Sequence, residues 1–409
     1  MNSSPPRLRW LMITLVFAAT AINYLDRQAL SVVAPVLIDQ FHLTNTAYSR
    51  IIFAFMLAYT IMNGAAGPII DRLGTRLGYA LTTAWWSASA MLHALATGAW
   101  SLAFYRFLLG MGEAGNWPAG VKVVAEWFPV SERALASGIF NSGSAAGAIL
   151  APPVVAWIVL KSGWRMAFLF VGTTGFMWLI AWMMLYHTPE RPQQEKLPRA
   201  ILPVRLFSNR FVWSFTVAKI FLDPVWYFYI FWFPAYLKQS RNFDLASIGR
   251  YAWIPFLVAG GGNLLGGWLA AALIRRRVPL TLARKASVTV FAVMMTSAIP
   301  AVLADDVRMS IALVSVAMVG YTGVTANMLA MPADVFPKEI VASIWGLASM
   351  GSGFGGMVFA LITGWLVDRY SYVPVFMGFG LIPLIAILII WFLLGPLCPE
   401  SGERALRPA

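Results

Sequence analysis

Gly67-Pro-Ile-Ile-Asp71-Arg72-Leu73-Gly74-Thr75-Arg76 is the stretch from which the architecture of this chain is read. It places one acid, two arginines and two glycines between an apolar run over 46–70 and another over 78–97. Each run offers the about 20 mainly apolar residues that a membrane-spanning helix needs. A short charged connection between two such runs reads as a turn at a membrane face, where glycine permits a tight bend. The same reading along the chain marks twelve spans: 10–38, 46–70, 78–97, 99–128, 134–160, 164–187, 210–237, 247–273, 285–304, 309–332, 341–367 and 373–396. Most connections are short. The polar, proline-rich stretch over 188–209 falls between spans six and seven and divides the chain into bundles over 1–187 and 210–409. The expected fold is an all-α membrane protein of twelve transmembrane helices in two pseudo-symmetric six-helix bundles.

Composition supports the membrane reading. Of 409 residues 59% are hydrophobic and 11% charged, with a mean hydropathy of +0.71, whereas a soluble domain is nearer half apolar and a quarter charged. Thirty basic and 17 acidic side chains cannot coat the surface of a soluble protein of this length, which rules against a water-soluble enzyme. The net charge of +13 would suggest nucleic acid on a soluble protein, but here it is read against a membrane. The single cysteine, Cys398, excludes an intrachain disulfide and any multi-cysteine metal site. The N-terminus runs into its first apolar segment without a small-residue cleavage site, so that segment is expected to be retained as a helix. Glycine and proline recur inside the spans, as in GSAAGAILAPP over 143–153 and GSGFGGM over 351–357. Small residues let membrane helices approach closely, and prolines bend them.

The distribution of Lys and Arg gives an orientation. If both termini and the connections after spans two, four, six, eight and ten share one side, that side carries 18 basic residues and the other 8. The excess places both termini in the cytoplasm. The four remaining basic residues fall deep inside predicted spans: Arg27, Arg106, Lys122 and Lys219.

The opening stretch resembles the cytoplasmic loop motif of the major facilitator superfamily, G-x-x-x-D-R-x-G-x-R, in Gly67, Asp71, Arg72, Gly74 and Arg76. The acid and arginines of such a loop can latch two halves on the cytoplasmic side. The second half has a worn counterpart, Gly266-Gly267 followed by Arg275-Arg276-Arg277. Further stretches sharpen the likeness: Asn23-Tyr24-Leu25-Asp26-Arg27 in span one, Arg106 to Gly120 in span four leading to Glu126-Trp127-Phe128-Pro129, and Asp334-Val335-Phe336-Pro337-Lys338 between spans ten and eleven. Together they are similar to the anion:cation symporter family, in particular its hexuronate and sugar-acid branch. That resemblance implies the major facilitator fold and a proton-coupled importer of organic anions working by alternating access, in an inner (plasma) membrane of bacterial type. It implies proton roles for Asp26 and Glu113, with Arg106 as electrostatic partner of Glu113, an anion-facing role for Arg27, and substrate hydrogen bonds from Tyr24 and Tyr59. Two departures concern the sugar: Ser144 stands where members often carry glutamine, and Ser349 where they often carry asparagine.

Independently of family, a charge deep in a span costs at least ~2.5 kcal/mol on insertion scales and marks a functional candidate. This chain has seven: Asp26, Arg27, Arg106, Glu113, Lys122, Lys219 and Asp223. Arg106 and Glu113 are seven residues apart, hence within about 20° on the helix and roughly 10 Å apart along it. They share a face without touching, so each is free to meet another helix or a ligand; a structural pair tying span four to span one is the alternative. Asp26 and Arg27 are adjacent and diverge by ~100°, so they do not neutralise one another. Lys219 and Asp223 lie four apart and can pair. Pro224 follows and is expected to break the helix at mid-depth, where transporters expose backbone and charge to substrate. Trp226 and its aromatic neighbours are candidates to stack on a sugar ring. Lys122 points away from Glu113 and is the weakest of the seven. Four cations against three carboxylates leave +1 before a proton is taken up, which favours an anion. Asn23, Asn116, Asn141, Ser144, Asn327 and Ser349 either read substrate hydroxyls or tie helices together.

His42, His93 and His187 form no recognisable cluster, and no metalloprotease, nucleophile-elbow or Walker motif is present, so neither enzyme nor cofactor is expected beyond the proton as coupling ion. The reading is a proton-coupled symporter for an organic monocarboxylate, a hexuronate or aldonate, acting as a monomer in the bilayer with no nucleic-acid partner. An anion antiporter, a proton-independent facilitator and a transport-deficient nutrient sensor are the alternatives.

Overall fold

The computed structural model describes residues 6–128, 132–187, 209–336 and 338–397. The linker over 188–209, apart from Asn209, and Cys398 lie outside the described residues. Every predicted span is helical, and no strand occurs among the described residues. Nine of these helices are long and apolar enough to cross a membrane on length and composition alone.

Helix ends follow local chemistry. Thr44, Asp244 and Asp306 accept from the backbone N–H groups of Ala47, Ser247 and Arg308 and so start spans two, eight and ten. Gly74, at φ +78°, makes the turn between Asn45–Leu73 and the helix that begins at Thr75, which satisfies the glycine reading of the opening stretch. Span four is two helices, Ala99–Glu113 and Asn116–Trp127. Pro118 lacks the N–H that would bond the Ala114 carbonyl, and Gly115 packs so close to Thr82 that a Cβ there would lie 2.5 Å from its side chain. Span seven corrects an expectation. It is one unbroken helix, Arg210–Arg241, running through Pro224. Proline removes one hydrogen bond, to the carbonyl of Ile220, and Gly355 of span eleven packs against that same carbonyl.

Two compact units emerge: Met1–Gln193 with Ile230–Trp253, and Gln194–Tyr229 with Ile254–Ala409. The last third of the span-seven helix therefore groups with the first unit. In the first unit, Gly143 and Gly147 bring span five onto span one; Cβ atoms there would lie 2.4 and 2.2 Å from the carbonyls of Phe17 and Ala21. In the second, Gly351 and Gly355 bring span eleven onto span seven, 2.6 Å from Thr216 and 2.3 Å from the Ile220 carbonyl by the same measure. The four-residue spacing repeats in corresponding helices, a small-xxx-small contact in each half.

Gly147→Leu is expected to destabilise the protein by about 1–3 kcal/mol through overpacking. Gly138→Ala, where nothing lies within 4 Å of an added Cβ, is expected to be neutral or to stabilise by up to about 1 kcal/mol. Thermal unfolding of the purified variants in detergent distinguishes the two.

Candidate functional site

In the first unit, span one presents Asp26 and Arg27, and the first helix of span four presents Arg106 and Glu113; all four are buried. Arg27 donates from Nε to Glu113 Oε2 at 2.9 Å, and its Nη2 lies 2.8 Å from the same oxygen as an ion pair. Its guanidinium sits over the rings of Tyr59, Tyr24 and Phe55, 4.7, 4.9 and 5.2 Å from their centroids. Aromatic faces stabilise a cation where water is excluded. The direct partner of Glu113 is thus Arg27, the alternative in which a pair ties span four to span one. Arg106 donates from Nη1 to the Arg27 carbonyl at 3.3 Å and acts on Glu113 as a second, more distant charge. Asp26 is different: neither of its oxygens has a hydrogen-bond partner among the described residues. The other oxygen of Glu113 and two guanidinium nitrogens of Arg106 are likewise unpartnered.

Tyr24 and Tyr59, singled out from the sequence, line this pair. Phe55, one turn from Tyr59 and stacked on it, was not singled out; an aromatic in an apolar span carries no signal of its own. Asn116 is spent on packing, donating to Thr20 Oγ1 at 3.2 Å and accepting from Tyr79 at 2.7 Å. Ser144, half-buried, donates its hydroxyl to the carbonyl of Asn141 in its own helix.

The charged connection after span two is held within the same unit. Asp71 pairs with Lys122 at 2.8 Å, and Lys122 also donates to the Ile70 carbonyl. Arg76 donates to the Met183 carbonyl at 2.6 Å, at the end of span six. Arg72 is exposed, Gly67 is open on its Cβ side, and Gly74 provides the turn. Lys122 therefore belongs to the motif and not to the interior. Its position near the end of Asn116–Trp127 lets the long side chain reach the loop, partly exposed. This changes which cations make up the charge count. Lys122 leaves the four predicted inside spans, so that Arg27, Arg106 and Lys219 stand against Asp26, Glu113 and Asp223. Lys285, near the start of span nine and bonded to the Trp391 carbonyl, is a further buried cation among the described residues.

In the second unit, Lys219 pairs with Asp223 at 2.7 Å, one turn apart. Tyr321 of span ten donates to the other Asp223 oxygen at 3.1 Å, and Lys219 lies 4.9 Å from the centre of the Trp345 ring. Trp226 stacks on Tyr321 at 5.2 Å and 12°. Tyr321 and Trp345 are contributions that no spacing in the sequence announces. Ser349 is half-buried one turn from Trp345. Asn327 is fully buried, and its amide nitrogen bonds Gly266, Ser287 and Gly323, tying spans eight, nine and ten.

Residues 16–300 and 282–408 match the model of the Major Facilitator Superfamily. The chain is 33% identical over 407 residues to the hexuronate transporter of Escherichia coli strain K12, covering 95% of this chain and 94% of that one. It is 35% identical over 307 residues to the galacturonate transporter of Dickeya chrysanthemi, covering 70% of this chain and 89% of that one. A bacterial homologue of the human lysosomal transporter Spinster, solved in an inward-facing and occupied conformation, superposes with a TM-score of 0.78 at 18% identity, covering 99% of this chain and all of that one.

Two ion pairs of the first unit, Arg27–Glu113 and Lys122–Asp71, predict different stability effects. Glu113→Ala strands a buried guanidinium and is expected to cost about 3–5 kcal/mol. Asp71→Asn breaks an exposed pair and is expected to cost less than about 1 kcal/mol. Equal losses in thermal unfolding would contradict the assignment of the interior pair.

Proposed function

The chain belongs to the Major Facilitator Superfamily, and from that premise we propose that it is a proton-coupled symporter importing a hexuronate or aldonate monocarboxylate by alternating access across a bacterial inner membrane. The observation that carries the proposal is the buried Arg27–Glu113 pair beside an unpartnered Asp26. A substrate carboxylate is a rival ligand for Arg27, since guanidinium binds carboxylates through charge-assisted hydrogen bonds. It displaces Glu113 readily only when Glu113 is neutral, because an uncompensated buried carboxylate is expensive. Protonation of Glu113, by a proton that Asp26 can also carry, therefore prepares Arg27 for the anion. Tyr24 and Tyr59 supply hydroxyls and ring faces beside it. Lys219, Asp223 and Trp226 are the counterpart set, with Lys219 able to leave Asp223 for a substrate oxygen. Both termini and the Gly67–Arg76 connection are assigned to the cytoplasmic side by the 18-to-8 distribution of basic residues.

The balance of two buried cations, Arg27 and Arg106, and two buried carboxylates, Asp26 and Glu113, in the first unit bears on stoichiometry. A bound monoanion makes this set negative by one, and one proton restores neutrality. The expected ratio is one proton per monocarboxylate, an electroneutral step. Purified protein in liposomes is expected to accumulate galacturonate or glucuronate when a pH gradient alone is imposed, and not when a membrane potential alone is imposed. Uptake unaffected by collapse of the pH gradient would sink the symport reading in favour of a facilitator or exchanger. Accumulation driven by potential alone would require more than one proton.

Two variants assign the roles. Asp26→Asn is expected to retain counterflow exchange and lose gradient-driven accumulation; loss of both would move Asp26 into substrate binding. Arg27→Ala is expected to weaken substrate binding at least tenfold, and unchanged affinity would remove it from the anion site. A thermal-shift panel of uronates, aldonates, aldarates and aliphatic acids reports the substrate class, and a response to neutral sugars alone would overturn it.

A further inference from the structure

The interior of the first unit holds more buried polar atoms than it offers partners. One layer is fully satisfied: Tyr79 donates to Asn116, Asn116 donates to Thr20, and the Tyr79 ring packs on Trp178 and Trp182 with centroids 5.0 Å away in each case. Spans one and three run in one direction and span four in the other. One helical turn beyond that layer, on the side away from the Gly67–Arg76 connection, therefore lie Asn23, Thr83 and Glu113. A further turn on lie Asp26, Trp86 and Ser87. Both amide atoms of Asn23, both oxygens of Asp26, Thr83 Oγ1, Trp86 Nε1, Ser87 Oγ and Glu113 Oε1 are buried without a hydrogen-bond partner among the described residues. Gly175 of span six packs against the Ser87 hydroxyl, where a Cβ would lie 2.0 Å from Oγ.

Buried polar groups are as a rule hydrogen-bonded, and leaving this many unpaired would cost more than the whole net stability of an ordinary domain. Side chains of mixed donor and acceptor character, clustered over two turns of three helices, are what bound water requires. We propose that this level of the first bundle binds an ordered water cluster, held by Asn23, Thr83, Trp86 and Ser87, that relays a proton between Asp26 and Glu113. The proton on an Asp26 oxygen passes to the nearest water, and the last water passes one to Glu113 Oε1. One O–H bond breaks at Asp26, one forms at Glu113, the waters are regenerated and no electron moves. Arg106 acts on both acids, Arg27 acts on Glu113 and Glu113 on Asp26, while Tyr48 and His93 interact with Arg106. Asn23 is then a positioning residue for water. This rests on the symport reading above and adds to it the route by which Asp26 and Glu113 share a proton.

Two readouts test it on the full chain. Trp86 and Trp182 are equally buried, but the Trp182 indole already bonds the Arg76 carbonyl. In X-ray hydroxyl-radical footprinting, which oxidises side chains beside bound water, Trp86 is expected to label at least tenfold faster than Trp182, and Asn23→Leu to remove that excess. Equal labelling of the two tryptophans overturns the water site. In liposomes, Ser87→Ala and Thr83→Val, each of which removes only a hydroxyl, are expected to slow pH-driven accumulation at least tenfold while counterflow stays within twofold of wild type. Unchanged accumulation in both variants, or equal loss of counterflow, overturns the relay. Failure of the symport reading is separately visible, as wild-type uptake indifferent to the pH gradient with Trp86 still labelled. That outcome keeps the water and discards the relay.

Discussion

A charge in a low-dielectric interior must be compensated where it stands, and the Arg27–Glu113 contact is the place where this chain meets that requirement most sharply. Two guanidinium nitrogens share one carboxylate oxygen, three aromatic rings surround the cation, and both side chains are almost wholly buried. Such a pair is not a strong source of stability, because the desolvation of both ions offsets their attraction. Its value lies in being exchangeable. One proton on the acid, or one rival carboxylate on the arginine, changes which partner is best, and that is the property a coupled transporter needs.

The two units build on a common scaffold and diverge in chemistry. Each has a glycine pair four residues apart that lets its fifth helix touch its first. In each, an acid near the end of the fourth helix reaches the start of the third. Glu126 accepts from Thr75 and Tyr186, and Asp334 pairs with Arg284 at 2.9 Å. In each, a cation from the third helix caps the last turn of the sixth, Arg76 on Met183 and Lys285 on Trp391. The interiors differ. The first unit joins two helices through its ion pair and leaves Asp26 uncompensated by any hydrogen bond among the described residues. The second closes its pair within one helix and adds a tyrosine. The first pair thus depends on two helices staying together, whereas the second is completed within one helix and by one neighbour.

Side chains that read as candidates for the substrate divide along the same physical line. Tyr24 and Tyr59 lie beside an exchangeable charge. Asn116 and Asn327 lie in layers where three helices converge, and their amide nitrogens satisfy neighbouring carbonyls and hydroxyls. An asparagine in an apolar helix serves either purpose equally well in isolation, and only its neighbours decide.

What the sequence by itself determined is whatever depends on one helix at a time. The positions of the spans, the glycine turn at Gly74, the shared face of Arg106 and Glu113, the divergence of Asp26 from Arg27 and the pairing of Lys219 with Asp223 all follow from apolar length and 100° per residue. Only the tertiary structure decided what depends on which helices are neighbours. That Glu113 meets Arg27, that Lys122 reaches Asp71, and that Tyr321 completes the Asp223 site are contacts between segments 51 to 98 residues apart. The straight passage of span seven through Pro224 belongs with them, since its freed carbonyl lies against Gly355 of another helix. Helical phase says which way a side chain points; packing alone says what stands there.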